Sequence, residues 1–286
     1  MTRTSFEWRF EWRRRARLLR SHLATAIGRR PRGFFIPYRH AADVMPIDYP
    51  HVAKRLKSAR GEIERHVDKV QSHAGELTRF GGAPPAPRFE QDWFPRLDMA
   101  MAYAVVRAHR PRRIVEIGSG HSTRVLARAA ADNDDACELL CVDPAPRAAI
   151  AGLNVRHRPA LLSDDDEEIV AALGRNDVLF IDSSHVAMPG SDVDRLFNRV
   201  LPRLASGCIV HVHDIFLPWA YPVVWRWRGY NEQLLLACLL QGNAFDILFA
   251  SQWALSDPQL MARAPVVATL PLLDGAMETS FWLRKR

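Results

Sequence analysis

The sequence is poor in cysteine and has no apolar run long enough to span a membrane. Its four cysteines form no Cys-x-x-Cys pair, so we interpret them as reduced thiols of a cytoplasmic protein. The longest apolar runs, such as LLLACLL at 234–240, are far shorter than the roughly 20 residues of a membrane span, which argues against a transmembrane helix. The N-terminus lacks an uninterrupted apolar core, so no secretory signal is predicted.

Acidic residues are scarce in the first 40 positions, which hold 11 arginines and 2 glutamates. The rest of the chain has 28 basic and 30 acidic residues, so the net charge of +7 belongs to an N-terminal arm. Arginine together with Trp8 and Trp12 could lie on an anionic membrane surface or on nucleic acid. We favour packing of the arm on its own domain or on a second subunit, and not nucleic acid, as the explanation.

The composition divides the chain into three regions: a basic aromatic arm (1–45), a helical extension with a linker (46–88) and a main domain (89–286). Between 46 and 80, apolar residues recur every three or four positions, which predicts one long amphipathic helix with a break near Gly61. This helix could cap a substrate pocket, form a homo-oligomer or simply pack on the core. GGAPPAPR at 81–88 is a turn-rich linker.

After the linker, short β-branched runs alternate with helical stretches. This alternation predicts an α/β, Rossmann-like fold with a seven-stranded, mostly parallel sheet and helices on both faces. Ligand sites are then expected at the carboxyl ends of the strands. The predicted strands cover 112–117, 138–143, 154–161, 177–182, 207–213, 245–250 and 279–285.

VEIGSGHST at 115–123 is the most informative motif. Gly118 and Gly120 permit a tight turn with close backbone approach, and Ser122 or Thr123 opens the next helix. The third glycine of a dinucleotide-binding G-x-G-x-x-G loop is absent. Glu116 would repel a pyrophosphate but can accept hydrogen bonds from the ammonium group of a cationic ligand.

The second predicted strand ends in Asp143, 23 residues beyond Gly120, where an acid can bind a ribose diol. A cationic amino-acid group near Glu116 and a ribose on Asp143 together describe S-adenosylmethionine. The sequence here resembles class I S-adenosylmethionine-dependent methyltransferases, whose motif E-x-G-x-G is matched by Glu116, Gly118 and Gly120. The closer resemblance is to bacterial members with EIGSGHST, FIDSSH and HDIF motifs. It implies cofactor contacts from Glu116, Gly118, Ser119, Gly120, Ser122, Thr123, Asp143 and Asp182.

FIDSSH at 180–185 ends the fourth predicted strand. Asp182 would lie beside the first strand, and in the resembled family this position faces the cofactor's methionine portion or the acceptor. His185 could take a proton from an acceptor hydroxyl, or it could only hydrogen-bond the backbone. The following PGSDVD has a capping-box pattern and mainly starts a helix, as does SDDDEE at 163–168.

HVHDIF at 211–216 ends the fifth predicted strand. Alternation along the strand places His211 and His213 on one face and Asp214 on the other. We expect His211 to be a hydrogen-bonded core residue, because it lies deeper in the sheet. His213 and Asp214 are the catalytic candidates, together with His185.

A divalent metal is a further option that we do not favour. Metal-dependent relatives such as catechol O-methyltransferase have an aspartate after the fourth strand and an Asp-Asn pair after the fifth. Asp182 and Asp214 match these aspartates, but Ile215 replaces the asparagine. A histidine could supply the missing ligand, although imidazole favours softer metals than magnesium.

Two aromatic stretches are candidates for substrate contact. Trp93 and Phe94 precede the first strand, and Tyr230, Asn231 and Glu232 open a helix after the fifth. We therefore expect a methyltransferase acting on a small molecule, with oxygen favoured as the acceptor atom. The alternatives are a noncatalytic S-adenosylmethionine-binding protein and a nucleic-acid methyltransferase recruited by the basic arm.

Overall fold

Seven strands of the computed structural model, which describes residues 5–27, 40, 43–133 and 136–286, form one sheet in the order β3-β2-β1-β4-β5-β7-β6. All neighbouring strands are parallel except β7, which is antiparallel to β5 and β6. The predicted fold class is confirmed. The strands are β1 (Arg113–Ile117), β2 (Glu138–Val142), β3 (Arg156–Arg158), β4 (Val178–Ile181), β5 (Ile209–Val212), β6 (Phe245–Ala250) and β7 (Phe281–Lys285).

Internal contacts divide the chain into two units, Met1–Pro46 and Ile47–Arg286. The first unit contains helix α1 (Ser5–Ala26), on which Trp12, Leu19 and Leu23 are exposed. The packing of the arm on another surface stays a prediction. None of the described helices combines the length and the apolar content needed to cross a membrane.

Helices of the second unit cover both faces of the sheet. Their apolar faces close the core around the central strands β4 and β5, every residue of which is buried. The helices are α2 (Pro50–Ser58), α3 (Arg60–Ser72), α4 (Ala74–Leu77), α5 (Arg96–His109), α6 (His121–Ala131), α7 (Asp164–Ala171), α8 (Asp192–Arg195), α9 (Glu232–Leu239), α10 (Ser251–Leu255), α11 (Pro258–Met261) and α12 (Val266–Thr269). The second unit also contains one π-helical turn (Leu196–Val200) and two 3-10 turns (Leu201–Arg203 and Val223–Arg228).

The helix predicted between 46 and 80 is divided into α2, α3 and α4, so the break expected near Gly61 is confirmed and a second break was not predicted. The breaks fall at Ala59 (φ −87°, ψ 4°) and His73 (φ −102°, ψ 19°), where ψ leaves the helical range. Gly61 lies inside the first turn of α3 and interrupts nothing. The apolar periodicity is nevertheless real, since Leu56 and Val67 are fully buried.

The helix starts predicted from acidic and serine-rich segments are confirmed. Ser163 caps α7 by accepting a hydrogen bond from the Asp166 amide, and Asp166 bonds the Ser163 amide in return. Ser191 accepts from the Asp194 amide at the start of α8. These caps satisfy amides that have no partner inside their helices.

The strand order reverses direction between β1 and β4. From β1 the chain proceeds outward to β2 and β3, and from β4 it proceeds the other way to β5. At such a switch point the loops diverge and leave a crevice at the carboxyl ends of the strands. The loops after Ile117, Ile181 and Val212 therefore meet in one place, which we call the reaction crevice.

Candidate active site

The loop after β1 approaches the end of β4 so closely that residue 118 has to be glycine. Gly118 has φ +86°, and a Cβ atom there would lie 1.8 Å from the carbonyl oxygen of Asp182. Gly120 is less constrained, because the nearest heavy atoms to its Cβ position are 3.6 Å away. The hydroxyl of Ser119 between them is buried and has no hydrogen-bond partner within the protein.

Glu116 lies fully buried beneath this loop. Its carboxylate accepts hydrogen bonds from the hydroxyls of Ser122 and Thr123, each at 2.6 Å, and from the thiol of Cys141 at 3.3 Å. Burial raises the pKa of Glu116 to about 7, although these hydrogen bonds act in the opposite direction. Glu116 thus holds the start of α6 against β1 and β2, and contact with a ligand ammonium group stays a prediction for it.

Asp143, at the end of β2, organises the same loop from the other side. Its two carboxylate oxygens accept hydrogen bonds from the amides of Ser119 (2.6 Å) and Ala145 (2.7 Å). The Ser119 carbonyl in turn accepts from the amide of Arg147. Asp143 is only half-buried, so it joins the β1 and β2 loops while one side remains accessible.

Two carboxylates and two imidazoles meet at the ends of β4 and β5. The Nε2 atom of His185 lies 3.4 Å from an oxygen of Asp182 and 3.4 Å from an oxygen of Asp214. The Nδ1 atom of His213 lies 3.4 Å from Asp182 and 3.5 Å from Asp214. The structure therefore brings together the three residues predicted to be catalytic and Asp182, and we call this group the acid-imidazole cluster.

Each imidazole of the cluster uses its second nitrogen to contact a fully buried carboxylate. The Nδ1 atom of His185 is 2.9 Å from Glu232, and the Nε2 atom of His213 is 3.2 Å from Asp98. Asp98 also accepts hydrogen bonds from the Ser251 hydroxyl and from the amides of residues 279 and 280. The sequence reasoning missed Asp98, whose one signal was an acid inside the apolar stretch of α5.

The carboxylates keep both imidazoles protonated. Burial alone would lower the pKa of His185, but Asp214, Asp182 and Glu232 raise it well above its ordinary value. His213 is shifted upward in the same way by Asp182, Asp98 and Asp214. Burial would raise the pKa of Asp182, but the two imidazoles hold it well below its usual range. The cluster is thus a set of ion pairs at neutral pH.

His211 has the core role that its depth in the sheet predicted. It is fully buried, its Nε2 atom is 2.9 Å from the hydroxyl of Ser280, and its ring stacks on Phe180 with centroids 3.7 Å apart. Burial and then the charge of His213 lower its pKa well below the ordinary value. It has no carboxylate contact among the described residues, in contrast to His213 on the same face.

The face predicted for Asp214 is wrong. Alternation put its side chain opposite His213, but strand β5 ends at Val212 and Asp214 has φ +55°. This left-handed turn swings the carboxylate toward His185 and His213, where the hydroxyl of Thr279 also donates to it at 3.3 Å. His185 has φ +60°, so two members of the cluster occupy a backbone conformation that is uncommon outside glycine.

No group of three His, Cys, Asp or Glu side chains in the described ranges is arranged to hold a metal ion. The two carboxylates that the sequence nominated as metal ligands, Asp182 and Asp214, share contacts with protonated imidazoles. A protonated imidazole has no free lone pair to offer a metal. Metal binding releases protons from its ligands, so a divalent cation at Asp182 and Asp214 stays a prediction.

The predicted substrate-contact residues separate into accessible and buried ones. Trp93 is 49% exposed, with the Arg147 guanidinium 4.2 Å from its ring centroid. Tyr230 is partly exposed and lies over His185 at a centroid distance of 4.7 Å. Phe94 and Glu232 are fully buried, so they support His213 and His185 from within.

Asn231 connects two loops through its side chain, and substrate contact stays a prediction for it. Its side-chain oxygen accepts from the Ala187 amide at 2.6 Å, and its amide group donates to the Ala187 carbonyl at 3.3 Å. It stands at the N-cap position of α9, as expected, but its side chain makes no cap hydrogen bond. These contacts tie the start of α9, and with it Glu232, to the loop that carries His185.

Residues 115–215 match the model of a family described as a methyltransferase domain. The match begins in β1 and ends just after Asp214, so it includes the glycine loop, Asp143 and the acid-imidazole cluster. The VEIGSGHST and FIDSSH segments, on which the resemblance to class I S-adenosylmethionine-dependent methyltransferases was based, lie within these matched residues, which are 101 of the chain's 286. A search among curated proteins gives no match.

Solved structures with a remote likeness include two methyltransferases. One is a Podospora anserina methyltransferase in its SAH-bound form, with 18% identity, covering 89% of this chain and 100% of that chain at a TM-score of 0.42. The other is an O-methyltransferase from Bacillus cereus in complex with SAH, with 15% identity, covering 73% of this chain and 87% of that chain at a TM-score of 0.38.

Proposed function

We propose that the protein is an S-adenosylmethionine-dependent methyltransferase that acts on an oxygen atom of a small molecule. The observation that carries the proposal is the position of the acid-imidazole cluster. It lies inside the matched methyltransferase segment, at the switch point of the sheet and beside the Gly118 loop. Titratable groups with strongly shifted pKa values in a crevice favour a catalytic site over a purely structural one.

The residues around the crevice fit the cofactor. The hydroxyls of Ser119 and Ser183 are buried without protein partners, which leaves polar groups free for a ligand. Asp143 could accept hydrogen bonds from ribose hydroxyls, and Asp182, with 25% of its side chain exposed, offers a permanent negative charge to a cation. When bound, S-adenosylmethionine would supply an electrophilic methyl group on a positively charged sulfur.

The chain's own contribution is orientation and proton handling. Holding two partners in line replaces a random encounter by a positioned one and accounts for much of the rate in such transfers. We assign proton acceptance from the acceptor hydroxyl to Nε2 of His185 in its neutral form. His213 is deeper and closed in by Asp98 and Phe94, so we assign it the positioning of Asp182 and Asp214.

This assignment has a direct consequence for pH. Because the carboxylates raise the pKa of His185 well above its ordinary value, the neutral form is scarce at neutral pH. The rate should therefore increase as the pH rises through that pKa. The measurement is initial rate against pH at saturating substrates, and a rate independent of pH on the alkaline side of neutrality would contradict the role of His185.

Cofactor binding is tested by calorimetry with S-adenosylmethionine and S-adenosylhomocysteine. Asp143→Ala should weaken binding about tenfold or more, since it removes an acceptor and loosens the Ser119 loop. Asp164→Ala is the matched control, because this carboxylate is 78% exposed and remote from the crevice. Failure of the wild-type protein to bind either compound would contradict the proposal.

The reaction is tested separately with methyl-labelled cofactor and a panel of hydroxylated small molecules, each paired with its amino analogue. Transfer to the hydroxylated members would support oxygen as the acceptor. Transfer to the amino analogues alone would overturn that choice. Cofactor binding without transfer to any compound would instead favour the noncatalytic alternative.

A further inference from the structure

A groove of about 390 Å³ lies at the end of the sheet where β5 begins, opposite the reaction crevice. Arg284 in its wall pairs with Ile209, the first residue of β5, whereas the crevice lies beyond the last residue of that strand. The groove is formed by the end of α2, the first turns of α3 and the strands β6 and β7. Its charged lining residues are Arg55, Glu62, Arg65, Asp246, Arg284 and Arg286.

Most of these charges have partners inside the groove. Arg55 donates hydrogen bonds to three carbonyl groups in the loop before β6 and at its start, which satisfies its guanidinium. Arg65 forms an ion pair with Glu62, and Arg286 forms one with Asp246. Arg65 and Arg286 are 65% and 51% exposed, so these pairs are surface pairs that a stronger anion can replace.

Arg284 differs from the other arginines of the groove. It is partly buried, its Nε atom is buried without a hydrogen-bond partner, and no carboxylate in the described part of the chain pairs with it. Its nearest polar contact is Nδ1 of His109, at 3.5 Å from Nη2. A guanidinium placed against an imidazole and no acid leaves donors that a ligand could use.

The residues behind Arg284 add positive charge. His66 is fully buried, its ring stacks on His109 with centroids 6.0 Å apart, and Lys69 lies on the same helix one turn later. Burial, and then the charges of Lys69 and Arg284, lower the pKa of His109 to about 3. The pKa of His66 falls to about 4 for the same reasons, although Glu62 acts against the shift. The nearby acid, Glu62, is already paired with Arg65.

We propose that this groove binds an oxyanion, the phosphate group of a small molecule, between the guanidinium groups of Arg284 and Arg65. The planar fork of a guanidinium matches two phosphate oxygens, and the terminal nitrogens of Arg284, which no carboxylate of the described residues contacts, are the donors that a phosphate would use. The volume of the groove accommodates a phosphorylated metabolite of modest size. This site is separate from the methyl-transfer reaction and does not depend on the proposed function.

Calorimetry with inorganic phosphate and with pyrophosphate at low salt tests the proposal on the full-length protein. We expect binding of pyrophosphate that weakens as salt is added, because added ions screen the arginines. Arg65→Gln should weaken it about tenfold, the loss of one charge-assisted hydrogen bond. Arg203→Gln is the matched control, since it removes an exposed ion pair with Glu168 elsewhere on the surface and should leave the affinity unchanged.

Histidine signals in NMR spectra provide a second measurement that a merely structural role of Arg284 would not change. A phosphate on Arg284 should raise the pKa values of His109 and His66, because it offsets the positive charge that lowers them. Arg284→Gln should abolish both the heat and the pyrophosphate-induced shift, with circular dichroism used to check that the variant folds.

Absence of pyrophosphate binding by the wild-type protein would overturn the proposal. Binding that Arg65→Gln and Arg284→Gln leave unchanged would also overturn it, because the anion would then lie elsewhere. Binding of a DNA duplex at this groove without binding of pyrophosphate would assign the arginines to nucleic acid and contradict a small-molecule site.

Discussion

Two pairs of histidines, one near each end of the central strands, have opposite electrostatic character: His185 with His213 in the reaction crevice, and His66 with the partly buried His109 beside the groove. In the reaction crevice, His185 and His213 have pKa values raised well above the ordinary value. Beside the groove that Arg65 and Arg284 line, His66 and His109 have pKa values lowered to about 4 and about 3. All four are largely removed from solvent, so burial is not what separates the pairs.

The sign of the neighbouring charges makes the difference. Burial lowers the pKa of every one of these imidazoles, since it penalises the charged form. The crevice pair contacts four carboxylates, those of Asp98, Asp182, Asp214 and Glu232, which more than reverse this effect. The groove pair has Lys69 and Arg284 as neighbours, which lower its pKa values further, and Glu62 beside His66 opposes the shift without reversing it. Burial, and then the charge of His213, also lower the pKa of His211, and Asp182 does not offset them.

The largest effect should come from adding a side chain at Gly118, where the loop after β1 passes closest to the end of β4. Gly118→Ala places a Cβ atom 1.8 Å from the Asp182 carbonyl oxygen at φ +86°, so the two loops have to move apart. We expect a loss of about 4 kcal/mol or more in the free energy of unfolding, measured by urea denaturation. Gly120→Ala is the control and should cost much less, because its Cβ meets nothing closer than 3.6 Å. Equal losses in the two variants would contradict the close approach.

A second change removes one negative charge beside the two histidines of the crevice. Asp214→Asn should lower turnover about hundredfold while the cofactor affinity changes by less than about threefold, since the effect is on proton transfer and positioning. It should also lower the pKa of His185, which moves the alkaline rise of the rate to lower pH. Asp194→Asn, which changes a partly exposed carboxylate at the start of α8, is the control. An unchanged pH profile would mean that Asp214 only shapes the loop.

A smaller effect should appear in the pH dependence of the free energy of unfolding, through the titration of His66. The folded-state pKa of His66, about 4, lies below the unfolded value of about 6.5, so between these pH values the unfolded chain binds the extra proton. Its contribution to stability is therefore present above pH 6.5 and is lost as the pH falls. We expect about 2 kcal/mol of this loss between pH 7 and pH 5 in urea denaturation.

His66→Gln removes one titrating group and should reduce the loss in that range by about 2 kcal/mol, while the part that comes from His109 remains. A His22→Gln variant serves as the control, because this histidine lies in helix α1 and outside the groove. If wild type and His66→Gln lost stability in parallel between pH 7 and pH 5, the low pKa of His66 would be wrong.

The sequence predicted the fold well because its signals are local. Each of the seven strands was marked by a β-branched run, and the E-x-G-x-G loop was marked by its glycines. Ile209, Val210 and His211 follow the alternation of an ordinary strand. Asp214 does not, since its left-handed backbone turns the carboxylate to the other side, and no local pattern announced that turn. The second helix break, at His73, was missed for the same reason.

The composition of the crevice could be predicted only in part. Asp182, His185 and His213 follow strands, so their approximate place follows from the parallel topology. Asp98 and Glu232 come from helices 84 and 50 residues away from Asp182 along the chain, and only packing brings them to the imidazoles. Arg284 of β7 and His109 of α5 are likewise distant in sequence, and only packing brings them together.

The sequence by itself determined the alternation of strands and helices, the glycine loop and the acids at the ends of the strands. These depend on period, turn chemistry and backbone sterics, all of which act over a few residues. Only the tertiary structure decided which histidines carry a proton. The protonation of a buried imidazole depends on the charges within a few ångströms of it, and those charges come from segments that are distant in sequence.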